Sequence, residues 1–334
     1  MRHVETIIVG GGPAGSTAAR RLQQHGRDVL ILDKADFPRE KLCGGWITTQ
    51  ALNDLELTPE TYPLGILKLD LRSHIRGVPF ALKGGPTNGD NYSIRRVEFD
   101  NWLLKRSGAE VIRHDVKAIS TDAGRYVLDD AYSCDHLIGA GGTLCPVRRL
   151  LFPDNRRRFR QVVTLEREFS YPAREDQCHL YFLHHGTKGY AWYVPKPDGH
   201  VNIGIGAKAN YYKAEGFSIH DEFRRFLQRL ADEGRIDRET ADSLKSSGHP
   251  YYLYSLHGEV KQDNCYLIGD SAGLATVDMG EGIGPAIESA LMVADEIMGR
   301  GRYDRDGISV FTSSGWLQML AARFVMPKPP GAAA

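Results

Sequence analysis

No apolar run in this 334-residue chain approaches the ~20 residues a helix needs to cross a bilayer, so no membrane-spanning helix is expected. Nor is there an excess of charge. Lys and Arg number 42 against 42 Asp and Glu, and without a global positive field nucleic acid is not an expected partner. The five cysteines show neither metal-ligand spacing nor the cluster an iron–sulfur centre needs. No secretory signal precedes them, which points to a reducing cytoplasm. Internal repeats are absent. The most basic stretch, Arg156-Arg157-Arg158 with Arg160, reads as a solvated surface loop, although contact with an anionic lipid, and so peripheral membrane contact, stays open. The length suffices for one large core or two interlocked domains.

Glycine, by contrast, is plentiful at 36 residues, and two glycine-rich segments carry chemistry. Gly10-Gly11-Gly12-Pro13-Ala14-Gly15 follows the apolar run Ile7-Ile8-Val9 and leads into Ser16–Leu22, which reads as strand, tight turn and helix. Gly10 permits the turn, Gly12 lets a pyrophosphate approach the backbone, and Gly15 lets helix and strand pack closely. The phosphates would sit at the positive helix N-terminus. A second strand, Val29–Leu32, ends at Asp33, placed to accept hydrogen bonds from an adenosine ribose, with Lys34 beside it. Together these favour a dinucleotide site over a structural turn. Near the other end, Leu267-Ile268-Gly269-Asp270-Ser271-Ala272-Gly273 is a second signature. An NAD-binding domain needs no such segment, whereas FAD has a flavin end far from its adenine that must be held separately.

On these two segments the chain resembles the p-hydroxybenzoate hydroxylase-like FAD superfamily, and within it the geranylgeranyl reductase-like branch, over residues 4 to 300. The resemblance implies an α/β fold: an FAD-binding Rossmann-like domain of the glutathione reductase type, interleaved with an antiparallel-sheet substrate domain. It implies that Gly269 and Asp270 end a strand and that Asp270 holds the ribityl chain. It also implies that Gly280-Glu281-Gly282-Ile283 opens a helix beneath the flavin pyrimidine, with the dipole favouring an anionic reduced flavin.

Three further segments carry the likeness. Phe37-Pro38-Arg39-Glu40-Lys41-Leu42-Cys43-Gly44-Gly45 is similar to the loop passing the flavin, with Arg39 and Lys41 implied at phosphate or ribityl oxygens. Cys43 is implied beside the isoalloxazine, either as a participant in the chemistry or as a small residue suited to a tight loop. In Ser93–Leu103, Arg96 is implied to reach the FAD, where a guanidinium clamps oxygens bidentately. Ile138–Arg148 departs from the superfamily: Gly141-Gly142 replaces an Asp-Gly pair linked to nicotinamide use. FAD binding survives that change, but direct reduction by NADPH is put in doubt, leaving room for a separate electron donor, a reductase or ferredoxin-like protein.

Gly189–Lys196 places Tyr190 and Trp192 on a sheet, either against the substrate or as aromatic packing between sheet and flavin domain. His220–Glu233 has helical spacing, with Phe223, Phe226, Leu227 and Leu230 on one face, and reads as core. Residues 1–66, 93–155 and 256–300 are expected to form the FAD domain, 67–92 and 156–255 the substrate domain, and 301–334 a C-terminal helix and tail. The expected function is reduction of an alkene in an apolar, isoprenoid-like small molecule by hydride transfer from flavin N5. The alternatives are a monooxygenase or halogenase acting through a 4a-hydroperoxide on an aromatic natural product, and an electron-transfer flavoprotein.

Overall fold

Strands Ile7–Val9 and Leu30–Leu32 read as unbroken apolar runs because both their faces are covered, as parallel central strands require. A computed structural model describes residues 1–76, 78–80, 89–155, 160–172, 176–184, 189–209, 211, 216, 218–255 and 258–313. In it, five parallel strands run in the order Cys265–Leu267, Tyr132–Gly139, Arg2–Val9, Val29–Asp33, Glu110–Arg113. Antiparallel partners extend this sheet: Lys261–Gln262 at one edge, and Arg125–Leu128 with Ile119–Asp122 off Tyr132–Gly139. The Pro13–Gln23 helix packs between the Arg96–Arg106 and Ile283–Ile297 helices. Small residues, among them Ala18, Ala19, Ala290 and Ala294, are wholly buried in this core and let the helix backbones approach.

The second sheet has seven strands, in the order Ser247–Leu253, Arg160–Ser170, His200–Lys208, Gly189–Lys196, Gln177–Phe182, Asp70–Ile75, Val78–Phe80. Every pairing in it is antiparallel except Gln177–Phe182 with Asp70–Ile75. Its pleat decides what each strand residue does. Leu165, Ala191, Tyr193, Ile203 and Ile205 turn to one face and form a core with Phe223, Phe226, Leu227 and Leu230 of the Ile219–Asp232 helix. That helix starts where Ser218 caps it through the Asp221 N–H. The alternate residues, Thr164, Glu166, Tyr190, Trp192 and Val194, face a cavity on the other side. A small sheet of Trp46–Thr48, Asn91–Ser93 and Leu67–Lys68 closes one end.

The α/β class is the expected one, and chain order is interleaved: the first sheet draws strands from residues 2–33, 110–139 and 261–267, the second from 70–80 and 160–253. Arg156, Arg157 and Arg158, the Arg160 side chain and the C-terminal helix expected after residue 301 lie outside the described residues. Among the described residues, no helix is long and apolar enough to cross a membrane.

Candidate functional site

A cavity of about 530 Å³ runs from the glycine turn to the floor of the second sheet. At one end the turn is shaped by the carboxylate of Asp33. Its Oδ2 accepts the Gly11 N–H at 2.7 Å and its Oδ1 the Ala35 N–H at 2.9 Å, which locks the turn to the end of the second strand. A Cβ on Gly15 would lie 1.9 Å from the Gly10 carbonyl oxygen, so only glycine lets helix and turn close up. Gly12 caps the helix, its carbonyl accepting the Ser16 N–H at 2.9 Å. Gly10, Gly12, Pro13, Ala14, Asp33 and Lys34 all line this end of the cavity. Gly15 and Gly269 stand behind the wall and shape the backbone instead.

Arg39, Lys41, Cys43, Gly44, Arg96 and Gly141 line the middle. Arg96 is buried and gives two nitrogens to Asp100, Nε to Oδ1 at 2.7 Å and Nη2 to Oδ2 at 2.9 Å. Its bidentate clamp therefore closes on a carboxylate of its own helix. Arg39 Nη1 stands 3.4 Å from the same Asp100. Lys41 Nζ lies 2.6 Å from His249 Nε2. Burial lowers the pKa of both Arg39 and Lys41, and pushes His249 down to about 4, so Lys41 donates to a neutral imidazole. A bound anion would relieve the burial of these two cations. Cys43 Sγ accepts the Gly45 N–H at 3.3 Å. The loop is tied to the second sheet by Lys196, whose ammonium donates to the carbonyls of Gly44 and Ile94.

Asp270 sits in the turn after strand Cys265–Leu267, and Ser289 of the Ile283–Ile297 helix holds that turn by accepting the Gly269 N–H at 3.1 Å. Asp270, Gly280, Gly282 and Ile283 line the cavity beside Glu281. The helix N-terminus is not free for a ligand alone. Glu281 Oε1 accepts the Gly284 N–H at 2.7 Å, and burial pushes this carboxyl up to about 7 against that hydrogen bond.

The floor is aromatic above and polar below. Tyr190 donates to the Met279 carbonyl. Trp192 lies flat over its neighbouring strand, where a Cβ on Gly204 would fall 2.2 Å from the indole. Its Nε1 donates to Asn202 Oδ1 at 2.6 Å, and Asn202 Nδ2 donates to Glu166 Oε2 at 3.2 Å. Gly204→Ala is expected to lift the indole and break that bond. Near-ultraviolet circular dichroism would change while the far-ultraviolet spectrum holds; an unchanged aromatic signal would show that the ring is not seated there.

The fold thus brings all the sequence-selected residues to one cavity or its backing wall. It adds Glu166, Asn202, His249, Asp100 and Glu281, which motif reading missed. Nothing along the chain set Glu166 apart, because its strand, Arg160–Ser170, also carries Arg160, Gln161, Arg167 and Glu168.

Residues 8–71 match the family model of an NAD(P)-binding Rossmann-like domain. A menaquinone reductase of Mycobacterium tuberculosis is 29% identical over 87% of this chain and 76% of that protein. The digeranylgeranylglycerophospholipid reductase 3 of Methanosphaera stadtmanae is 24% identical over 92% and 80%. A geranylgeranyl bacteriochlorophyll reductase-like structure from Thermoplasma acidophilum superposes with TM-score 0.70 at 19% identity, covering 97% of this chain and 85% of that one. The flavin-dependent brominase Bmp2 shares the fold at TM-score 0.68 and 17% identity, covering 92% and 81%. The glycine turn with its Asp33 lock, the cavity reaching the second sheet and these similarities agree: the chain is an FAD-dependent oxidoreductase, similar in sequence to menaquinone and digeranylgeranylglycerophospholipid reductases.

Proposed function

We propose that this enzyme reduces a carbon–carbon double bond in an apolar, isoprenoid-like molecule. One observation carries the reading: the cavity that begins at the dinucleotide turn ends on an apolar floor of Leu180, Tyr190, Trp192 and Val194, and that floor contains a buried acid. The named activities of the sequence relatives support it. FAD, when bound, supplies the hydride. The protein's part is to hold and orient. Asp33 lies where it would meet the adenosine ribose, and the N–H groups after Gly12 would meet the diphosphate. Arg39 and Lys41 supply positive charge, and Asp270 would accept from the ribityl hydroxyls. Cys43, on the loop tied to the second sheet by Lys196, lines the cavity and would stand beside the flavin. Tyr190 and Trp192 present apolar faces to a prenyl chain and exclude water from it. Residues 1–66, 93–155 and 256–300 would form the FAD domain and 67–92 with 156–255 the substrate domain. With Gly141-Gly142 in place of a carboxylate, electrons would come from a separate protein donor.

The test is a single turnover. Holoenzyme reduced without oxygen and mixed with geranylgeraniol in detergent is expected to give a product heavier by two hydrogens and oxidised flavin. Flavin that stays reduced until oxygen is admitted, then inserts oxygen or halogen into an aromatic acceptor, would replace this reading with a monooxygenase or halogenase.

A further inference from the structure

We propose that Glu166 is the proton donor of the alkene reduction, held in one orientation by Asn202 and Trp192. The inference rests on the reduction proposed above. Reducing an isolated double bond requires a hydride on one carbon and a proton on the other, and an isoprenoid alkene accepts hydride poorly unless the proton arrives with it. The cavity must therefore contain an acid aimed inward.

The hydrogen bonds of the floor single out one. An indole nitrogen can only donate, so Trp192 Nε1 makes the Asn202 oxygen its acceptor and leaves the Asn202 NH₂ to point at Glu166. Glu166 Oε2 is consequently an acceptor, and the acidic proton belongs on Oε1. Among the described residues Oε1 makes no hydrogen bond, although the residue is only 3% exposed and lines the cavity. An acid whose one oxygen is occupied from behind and whose other faces the cavity beside Leu180, Trp192 and Val194 can donate in only one direction.

The groups around it keep the proton available. Lys41 and Arg96 reach it electrostatically from the cysteine-loop side, Lys196 and Tyr190 from strand Gly189–Lys196, and Tyr251 from strand Ser247–Leu253, with His249 lining the same cavity. The three cations favour ionisation. Burial nevertheless outweighs them and the Asn202 hydrogen bond, and pushes the carboxyl up to about 7. An acid so tuned is half protonated at neutral pH, where a general acid works best.

The balance is simple. Two electrons arrive with the hydride from the reduced redox group of the proposed reaction and form one C–H bond. The Oε1–H bond breaks, its proton forms the second C–H bond, and Glu166 is left as a carboxylate that takes its next proton from water after product leaves. Asn202 and Trp192 are positioning residues: neither gains nor loses a proton.

Two measurements on holoenzyme test this. The first is infrared difference spectroscopy across pH 5–9. Protonated-carboxyl intensity titrating near 7 is expected in the wild type from both Glu166 and Glu281; Glu166→Gln, whose amide oxygen still accepts from Asn202, should lose the Glu166 share, and the double variant with Glu281→Gln should lose the rest. The second is the pH profile of single-turnover reduction of geranylgeraniol. Because the acid form is the working one, the wild-type rate should be full below pH 7 and fall about tenfold per unit above it, with Glu166→Gln slower by about 100-fold or more at pH 6.5 and flat with pH. Carboxyl intensity undiminished in Glu166→Gln, or a flat wild-type profile, overturns the proposal without needing the variant to be active. If wild type turns over and Glu166→Gln matches it, Glu166 is not the donor while the functional reading stands. If wild type reduces no prenyl alkene, the functional reading fails and the donor role with it, even where the carboxyl band titrates.

Discussion

Asp100→Ala is expected to cost about 3–5 kcal/mol of folding stability, the usual result of stripping one partner from a buried ion pair. Asp100 is fully buried and Arg96 is 6% exposed. Both carboxylate oxygens are engaged by the Arg96 guanidinium, and Arg39 stands 3.4 Å away, so a single truncation abandons two cations in a low-dielectric wall. Urea unfolding monitored by circular dichroism would measure the loss. Replacing the pair together, Arg96→Met with Asp100→Leu, should cost less than Asp100→Ala alone, because no charge is then left unpaired. A single-variant loss below about 1 kcal/mol, the range of exposed pairs, would mean that water reaches this pair in solution.

The second large effect belongs to the glycine turn. Gly15→Ala would bring a methyl carbon to 1.9 Å from the Gly10 carbonyl oxygen, 3.1 Å from the Gly10 carbonyl carbon and 3.2 Å from Ile8 Cγ2. Backbone cannot retreat there without pulling the turn off Asp33, which grips it through Gly11. The variant should purify colourless, with stoichiometric flavin lost, and melt earlier than wild type. Gly12→Ala makes the informative contrast. Its methyl would meet only the flexible end of Arg39, at 3.3 Å, so the fold should hold while flavin is lost, since the group displaced is the dinucleotide itself. Equal flavin content in Gly15→Ala and wild type, read from the visible absorbance per protein, would contradict the turn geometry.

These two sites differ in how much of them could be read along the chain. The turn is local. Strand, glycines, helix and the acid ending the next strand lie within residues 7–33, and the steric rules that select glycine act between neighbours in sequence, so order and spacing alone were enough. The pair of Arg96 and Asp100 is local too, at helical i,i+4 spacing, yet the motif carried no sign that the guanidinium also grips a carboxylate of its own helix. The helix starting at Ile283 was legible from Gly280-Glu281-Gly282, whereas the capping of its N-terminus by Glu281 was not. A flexible acid beside a helix start can turn inward or outward, and only packing chooses.

The floor shows the same limit from the other side. The sequence marked Gly189–Lys196 as part of a sheet carrying Tyr190 and Trp192. Which face met the helix and which met the cavity depended on register with strands far away in sequence. Trp192 opposes Gly204, the Thr164 position opposes His249, and Glu166 opposes Gly204 and Ser247 across the sheet. Residues up to 36 positions apart thereby become a single hydrogen-bonded chain, from Trp192 through Asn202 to Glu166.

By itself, then, the sequence determined the α/β class and the dinucleotide turn, because both rest on backbone sterics and short-range order. The tertiary structure decided which polar groups share the buried space: Lys41 against His249, Arg39 and Arg96 on Asp100, and Glu166 on the cavity face of the second sheet. The reason is physical. Burial and long-range strand pairing set whether a carboxyl is a solvated surface charge or an acid near neutrality, and neither is a property of a residue's neighbours along the chain.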